Sequence, residues 1–296
     1  MKSFTHDLIV WIEENLDKKI ILDEVAEKSG YSKWHLQRLF RQETGMKLAT
    51  YIRERRLSES AILLKMTGAP VIHAAEQFGF TNQQAFTRTF TKYFCLPPAR
   101  YRQTKEWHFH GLQPSLLSSA RTMPEPETAW LSAPSHSDVT FSYQCESADL
   151  YSIAFHTEQR EQGLKKAARL LRGESPTWFA ERFEPDSSSG NIRLILTFGC
   201  REDKDEHGGQ NASSPGMFLR FPFEGSAAEL TEMQMNVYRH ILPRRAEARR
   251  EGDDLFIVGP DHEANLMSSH FWGDYYIPVT AGKMRFERFP DILKDI

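Results

Sequence analysis

Residues 30–40 read GYSKWHLQRLF, and residues 79–90 read GFTNQQAFTRTF. Laid over each other at an offset of fifty, Trp34, Leu36, Arg38 and Phe40 fall on Gln84, Phe86, Arg88 and Phe90. In each stretch a glycine precedes a run whose apolar residues recur with a helical period: Leu36, Leu39 and Phe40 in the first, Phe86, Phe90 and Tyr93 in the second. A turn glycine ahead of an amphipathic helix, with the small Ala26 upstream in the first copy, is a helix-turn-helix pattern. Gly79 follows Gly30 by 49 residues rather than fifty, so the second turn is one residue longer. The stripes facing away from the apolar residues hold Trp34, Gln37, Arg38 and Arg41 in the first copy, and Gln84, Thr87, Arg88 and Thr91 in the second; the candidate DNA contacts are the first four with Gln83, Gln84, Thr87 and Arg88. These side chains suit base edges: Arg can hold guanine O6 and N7, Gln can do the same for adenine, and Trp offers an apolar wall to a thymine methyl or a sugar.

Outward from these stretches the first hundred residues keep the helical period. Leu8, Ile12 and Leu16 share a stripe, as do Leu57, Ala61 and Leu64, and breakers at Gly45, Gly68, Pro70, Pro97 and Pro98 divide the segment into about seven helices. A long helix from about Leu48 to Met66 is expected to hold the two recognition helices about 34 Å apart, so that a monomer enters two successive major grooves. Lys33, Lys47, Arg53, Arg55, Arg56 and Lys92 are candidates for phosphate contacts. Charge supports a polyanionic partner: residues 1–107 hold 17 Lys/Arg against 12 Asp/Glu, the remainder 20 against 28, within a net charge of −3.

The chain has 296 residues, 40% hydrophobic and 26% charged. That length predicts two domains, and that composition excludes a mainly disordered or fibrous protein. No apolar run is long enough for a membrane span, and the first fifteen residues lack a signal-peptide pattern. Three widely spaced cysteines, Cys95, Cys145 and Cys200, suit a reduced, cytoplasmic protein. We expect a front domain over 1–104, a linker over 105–125 marked by Gly111, Pro114 and Pro124, and a rear domain over 126–296.

In the rear domain the period shifts from 3.6 to 2. Val139, Phe141, Tyr143 and Cys145 alternate with polar residues, Leu164, Ala168 and Leu171 mark a helix, and 176–184 and 191–199 read as strands. The order returns about 79 residues later, with Met217 to Phe223, a helix carrying Leu230, Met233 and Val237, then 255–258 and 274–279. The fold class is therefore multidomain: an all-α front with two helix-turn-helix motifs, then an α+β domain of two strand-helix-strand-strand repeats. The polar stretch 201–216 reads as a mobile connection between them.

GYSKWHLQRLF, AEQFGFTNQQAFTRTF and the closing FCLPPARYR together resemble the DNA-binding domain of the AraC/XylS family, on the MarA/SoxS/Rob branch, over roughly residues 5–103. The resemblance implies a transcription activator of stress and multidrug-resistance promoters that binds double-stranded DNA and recruits RNA polymerase. It places base readers at Trp34, Gln37 and Arg38, and at Gln84, Ala85 and Arg88; Ala85 departs from the threonine usual there. KEW at 105–107 and TMPE at 122–125 match the order of the branch's Rob-type, two-domain members, and the doubled repeat is similar to a GyrI-like effector-binding domain. That domain implies a small amphipathic or cationic ligand, with Tyr143, Trp178, Phe221, Glu224, Trp272, Asp274 and Tyr276 as the candidate lining. Relatives place a Glu on the last strand; Asp274 stands there, sharing a strand face with Tyr276.

Competing readings make the rear domain a small-molecule hydrolase or a protein-interaction module. No HExxH, CxxC, P-loop or GxSxG supports an enzyme, so no catalytic residue, cofactor or metal is assigned; His108, His110 and His207 lack a fixed ligand set.

Overall fold

The computed structural model describes residues 4–18, 20, 25–27, 30–109, 111–117, 125–131, 139–146, 149–171, 176–186, 191–200, 215–259 and 266–280. The polar stretch 201–214, with His207, and also His110 lie outside the described residues. The front domain is helical: α1 (Phe4–Glu13), α2 (Lys33–Thr44), α3 (Leu48–Met66), α4 (Val71–Gln77), α5 (Gln83–Phe94) and α6 (Pro98–Gln103), with residues 25–27 also helical.

The two recognition helices begin alike and end differently. Ser32 caps α2 by accepting from the His35 amide at 3.2 Å, and Asn82 caps α5 by accepting from the Ala85 amide at 2.8 Å. Both stop at a left-handed residue fifty positions apart: Gly45 with φ 75° and Cys95 with φ 58°. Glycine reaches that conformation without a Cβ penalty; cysteine does not.

Between them lies α3, with fourteen of its 19 residues buried. On one side Leu8, Ile12, Leu36, Phe40, Leu48, Tyr51 and Ile52 form a core of their own. On the other, Leu57, Leu64, Phe86, Phe90 and Tyr101 belong to a single cluster that continues into the rear domain through Trp107 and Phe109.

The stretch expected as a linker is a packed strap over its described part. Trp107 and Arg249 exchange backbone hydrogen bonds of 2.8 and 3.0 Å, and Phe109 is wholly buried with its ring stacked on Trp107 at 4.4 Å. Further on, the Gln113 amide donates to Ser58 Oγ (2.7 Å) and the Leu116 amide to the Tyr51 hydroxyl (3.1 Å), fixing the strap along α3. Gly111 and Pro114 break periodicity without breaking packing, because side chains of α3 satisfy the strap's backbone groups.

The rear domain is an antiparallel sheet with helices on one face. Its elements are β1 (Glu127–Leu131), β2 (Val139–Cys145), α7 (Ile153–Leu170), β3 (Trp178–Pro185), β4 (Ile192–Gly199), β5 (Gly216–Gly225), α8 (Ala227–Asn236), β6 (Ala248–Arg249), β7 (Asp254–Val258) and β8 (Phe271–Thr280). Helix α8 widens into a π turn, Val237–Ile241, before a short 3-10 turn. Strand order is β1-β5-β8-β7-β3-β4-β2, with β6 on β8. The two expected repeats, β2-α7-β3-β4 and β5-α8-β7-β8, each pair their first strand with their third, and they join through β3 and β7. Strands β1 and β6 were not foreseen; β1 is short and β6 spans two residues, too little for a period to show.

The unequal helix ends give the first test. Cys95→Gly is expected to raise stability by about 0.5–1 kcal/mol in urea unfolding, and Gly45→Ala to lower it by about 1 kcal/mol. Nothing lies within 4 Å of a Cβ built at Gly45, so the second effect is conformational. A neutral or destabilising Cys95→Gly would remove the claim.

Candidate functional site

The exposed stripe of α2 lines one open cleft and that of α5 lines another. Trp34, Gln37, Arg38 and Arg41 share the first with Gln42, Lys47 and Ala49; Gln83, Gln84, Thr87 and Arg88 share the second with Asn82 and Ile72. All eight residues singled out from the sequence are thus gathered in two sets of four. Trp34 is 67% exposed, and the Arg38 guanidinium lies 5.2 Å from its ring centroid, so the indole orients the arginine as well as offering its own surface. Leu36, Phe40, Phe86 and Phe90 are wholly buried beneath the stripes. Gln42, Asn82 and Ile72 had no strong signal: an apolar residue on α4 is indistinguishable from core until its exposure, 48%, is seen.

Two of the expected phosphate contacts are corrected. Arg55 is buried at 1% exposure, its guanidinium donating to Glu13, to Glu59 and to the Gln113 carbonyl. Arg56 turns back to the Leu16 and Lys18 carbonyls. Both are committed to the fold: on a helix with fourteen of 19 residues buried, a guanidinium turned inward must find its partners inside. Lys33, Arg53 and Lys92 are exposed.

The seven rear-domain candidates divide between the two faces of the sheet. Tyr143 and Phe221 belong to the core under the helices. Trp178 and Tyr276 pack on the other face with Ala180, Phe218 and Leu255, and alternation puts Trp272, Asp274 and Glu224 on that face too. Asp274 does share its face with Tyr276, whose hydroxyl lies 3.5 Å away, but its carboxylate is paired with Arg220 at 2.9 Å.

A different set of polar groups converges at a small cavity of about 70 Å³, where the rear domain meets α3. Ile62 and Met66 of α3 close it from the front; Leu150, Tyr151, His156, Arg160, Glu181 and Arg239 are among its rear walls. Arg160 on α7 reaches Thr231 and Gln234 of α8 at 2.7 Å each, and Glu181 on β3 at 3.4 Å, tying the helices of the two repeats together. Burial raises the Glu181 carboxyl, against the lowering pull of Arg160. These residues gave no sequence signal because each stands alone in its own element and meets its partners only across the repeat. Among the described residues no group of His, Cys, Asp and Glu could hold a metal.

His156 is fixed as a neutral imidazole. The Leu150 carbonyl, 3.2 Å from Nε2, can only accept, so Nε2 carries the proton and Nδ1 accepts from the Tyr143 hydroxyl at 2.9 Å. Burial, aided by Arg160, pushes its pKa down to about 4; burial with Arg239, Arg55 and Arg244 does the same at His240. Cys145, 3.9 Å from the ring, is pushed up to about 12 by burial and so is no nucleophile. Of the other cysteines, Cys95 is exposed and Cys200 half-buried.

Both histidines protonate more readily in the unfolded chain, so their contribution is complete above about pH 6.5 and is lost as pH falls towards 4. Unfolding free energy is expected to drop between pH 7 and 5 by up to about 2 kcal/mol per histidine. Urea unfolding of His156→Gln across that range should show a flatter slope; an unchanged slope would exclude His156 as a source.

A family model described as a helix-turn-helix domain matches residues 25–104. The chain is 34% identical over 268 residues to the right origin-binding protein of Escherichia coli strain K12, covering 87% of this chain and 91% of that one. It is 50% identical over 99 residues to the multiple antibiotic resistance protein MarA of the same strain, covering 33% of this chain and 78% of MarA. A solved C-terminal domain of the response regulator yesN from Fusobacterium nucleatum is 30% identical, covering 34% of this chain and all of its own, with a TM-score of 0.33. Among the described residues no helix is long and apolar enough to cross a membrane.

Proposed function

Because the chain belongs to the AraC/XylS family of DNA-binding transcription regulators, on the branch of the right origin-binding protein and MarA, we propose that it activates stress and multidrug-resistance promoters in the cytoplasm. It binds an asymmetric DNA site as a monomer, recruits RNA polymerase, and is modulated by a small amphipathic ligand in the rear domain. The observation that carries the DNA reading is the pair of capped recognition helices, each presenting four of the eight candidate residues to an open cleft. Arg38 and Arg88, fifty residues apart and both exposed, are the guanine readers; Gln37, Gln83 and Gln84 read beside them. Trp34, Arg41 and Thr87 supply apolar and backbone contacts.

For the ligand, the cavity at Glu181 and Arg160 is the favoured place over the open sheet face. It sits between the repeats and against the front domain, and its polar groups converge. On the open face Asp274 is already neutralised by Arg220. Neither site supports the hydrolase reading, since neither holds an activated nucleophile beside a base.

Binding to a random duplex pool at two salt concentrations tests the DNA reading. One bipartite site is expected to be enriched, with affinity falling steeply as salt rises. Arg38→Ala and Arg88→Ala should each weaken binding by about 1–3 kcal/mol and relax the sequence at one half-site. Weak binding without sequence preference in the unmodified chain would refute the proposal.

A further inference from the structure

The two helix-turn-helix motifs are joined to the rear domain by different forces. The second shares one apolar cluster with it, running from Phe86 and Phe90 through Trp107 and Phe109 to Phe179 and Tyr275. The first has a separate core and meets the rear domain through charge. Glu13 on α1 and Glu59 on α3, both buried, are bridged by Arg55 at 2.8 and 2.6 Å. From the rear domain Arg239 approaches the same carboxylates, at 3.5 Å from Glu13 and 3.7 Å from Glu59, and Tyr151 donates its hydroxyl to Glu59. The Arg239 guanidinium lies over the Tyr151 ring at 4.6 Å, and its Nε makes no hydrogen bond. Glu13 also accepts from the Tyr51 hydroxyl at 2.7 Å, and the Tyr51 ring packs on Phe40 of α2 at 5.6 Å. A contiguous path therefore runs from Tyr151 and Arg239 to the first recognition helix.

Tyr151 and Arg239 are also walls of the cavity. Sites for drug-sized molecules enclose roughly 300–1,000 Å³, several times the volume of this one, so an amphipathic occupant has to move walls apart. Its floor is strand: Glu181, Phe183, Leu194 and Tyr275. Two walls stand off the strands and reach the carboxylates: Arg239, on the π turn with ion pairs of 3.5 and 3.7 Å, and Tyr151, outside any helix or strand.

We propose that the cavity regulates the first helix-turn-helix and leaves the second unaffected: an occupant that displaces Tyr151 and Arg239 takes them from Glu59 and Glu13 and loosens α1 and α2. This rests on the reading of the cavity as the ligand site, while its wiring is independent of any ligand. The two carboxylates then keep Arg55 as their shared cation, an unbalanced buried charge that costs stability where it sits. The second motif keeps its place, because Phe86 and Phe90 reach the rear domain through Trp107 and Phe109, apolar contacts that involve neither Glu13 nor Glu59.

The test uses the full chain without ligand. Arg239→Met removes the cation, Tyr151→Phe removes one hydroxyl while keeping the ring, and Met235→Trp pushes an indole into the cavity as a stand-in occupant. Hydrogen exchange should accelerate about tenfold in residues 4–13 and 33–44 of Arg239→Met and Met235→Trp, with 83–94 unchanged. Tyr151→Phe should act in the same direction, more weakly, and decides the matter if Arg239→Met fails to fold. On the duplex enriched from the random pool, scrambling the first half-site should cost these variants several-fold less affinity than it costs the parent. Scrambling the second should cost all of them the same. Equal change in both motifs, or no change in either, overturns the proposal, as does an effect of Arg239→Met that Met235→Trp fails to reproduce. If no duplex is enriched the DNA reading fails, and hydrogen exchange still decides the coupling.

Discussion

The guanidinium of Arg55 holds the molecule's parts in register. It is shut away from water, where burial alone would lower its pKa, yet Glu59 and Glu13 keep it raised. Its Nε and Nη2 meet Glu13, Nη2 also meets Glu59, and Nη1 meets the Gln113 carbonyl at 2.8 Å. Those partners come from α1, from α3 and from the strap that leads into the rear domain. A charge in this position forces its surroundings: each donor must find an acceptor, and each carboxylate so recruited must itself be neutralised. That requirement brings in Tyr51, Tyr151 and Arg239, while the buried Ser58 and Ser60 of the same helix donate to the Glu54 and Leu57 carbonyls.

The rear domain solves a related problem by symmetry. Its two repeats meet at β3 and β7, and the junction is spanned by polar pairs rather than apolar packing alone. Arg160 crosses from one repeat's helix to the other's. Arg182 on β3 crosses to Asp253, just ahead of β7, at 2.6 Å. Within the second repeat Asp254, at the start of β7, accepts from the Tyr238 and Tyr275 hydroxyls at 2.6 and 2.7 Å and pairs with Arg249 at 3.0 Å. Because Arg249 also pairs its backbone with Trp107, the repeat junction and the strap are one continuous structure.

What was legible in the sequence follows from distance along the chain. The recognition stripes lie within single helices, so period and a preceding turn glycine revealed them, and an offset of fifty exposed the duplication. Alternation placed Asp274 and Tyr276 on one face. It could not say that Trp178 and Tyr143 lie on opposite faces, because that needs register between strands. Glu13 and Arg239 are 226 residues apart, and Glu181 and Gln234 meet only after two repeats have folded together; no local pattern encodes either. The strap misled for the opposite reason. Its Gly111 and Pro114 look like loop, and they are loop by conformation, but Trp107 and Phe109 within it are core.

The π turn at Val237–Ile241 carries a consequence for descent within the family. A π turn accommodates one residue more than the α-helix it interrupts, so it behaves as a single-residue insertion retained in a helix. Consecutive helical residues are turned by about 100°, and the register after Met233 therefore decides which way Tyr238, Arg239 and His240 face. In a relative whose helix runs on without the insertion, the residue aligned with Arg239 points away from the seam even if it is still arginine. Loss or gain of one codon here would break or make the charged contact between the rear domain and Glu13 and Glu59 without altering any residue of the two exposed stripes.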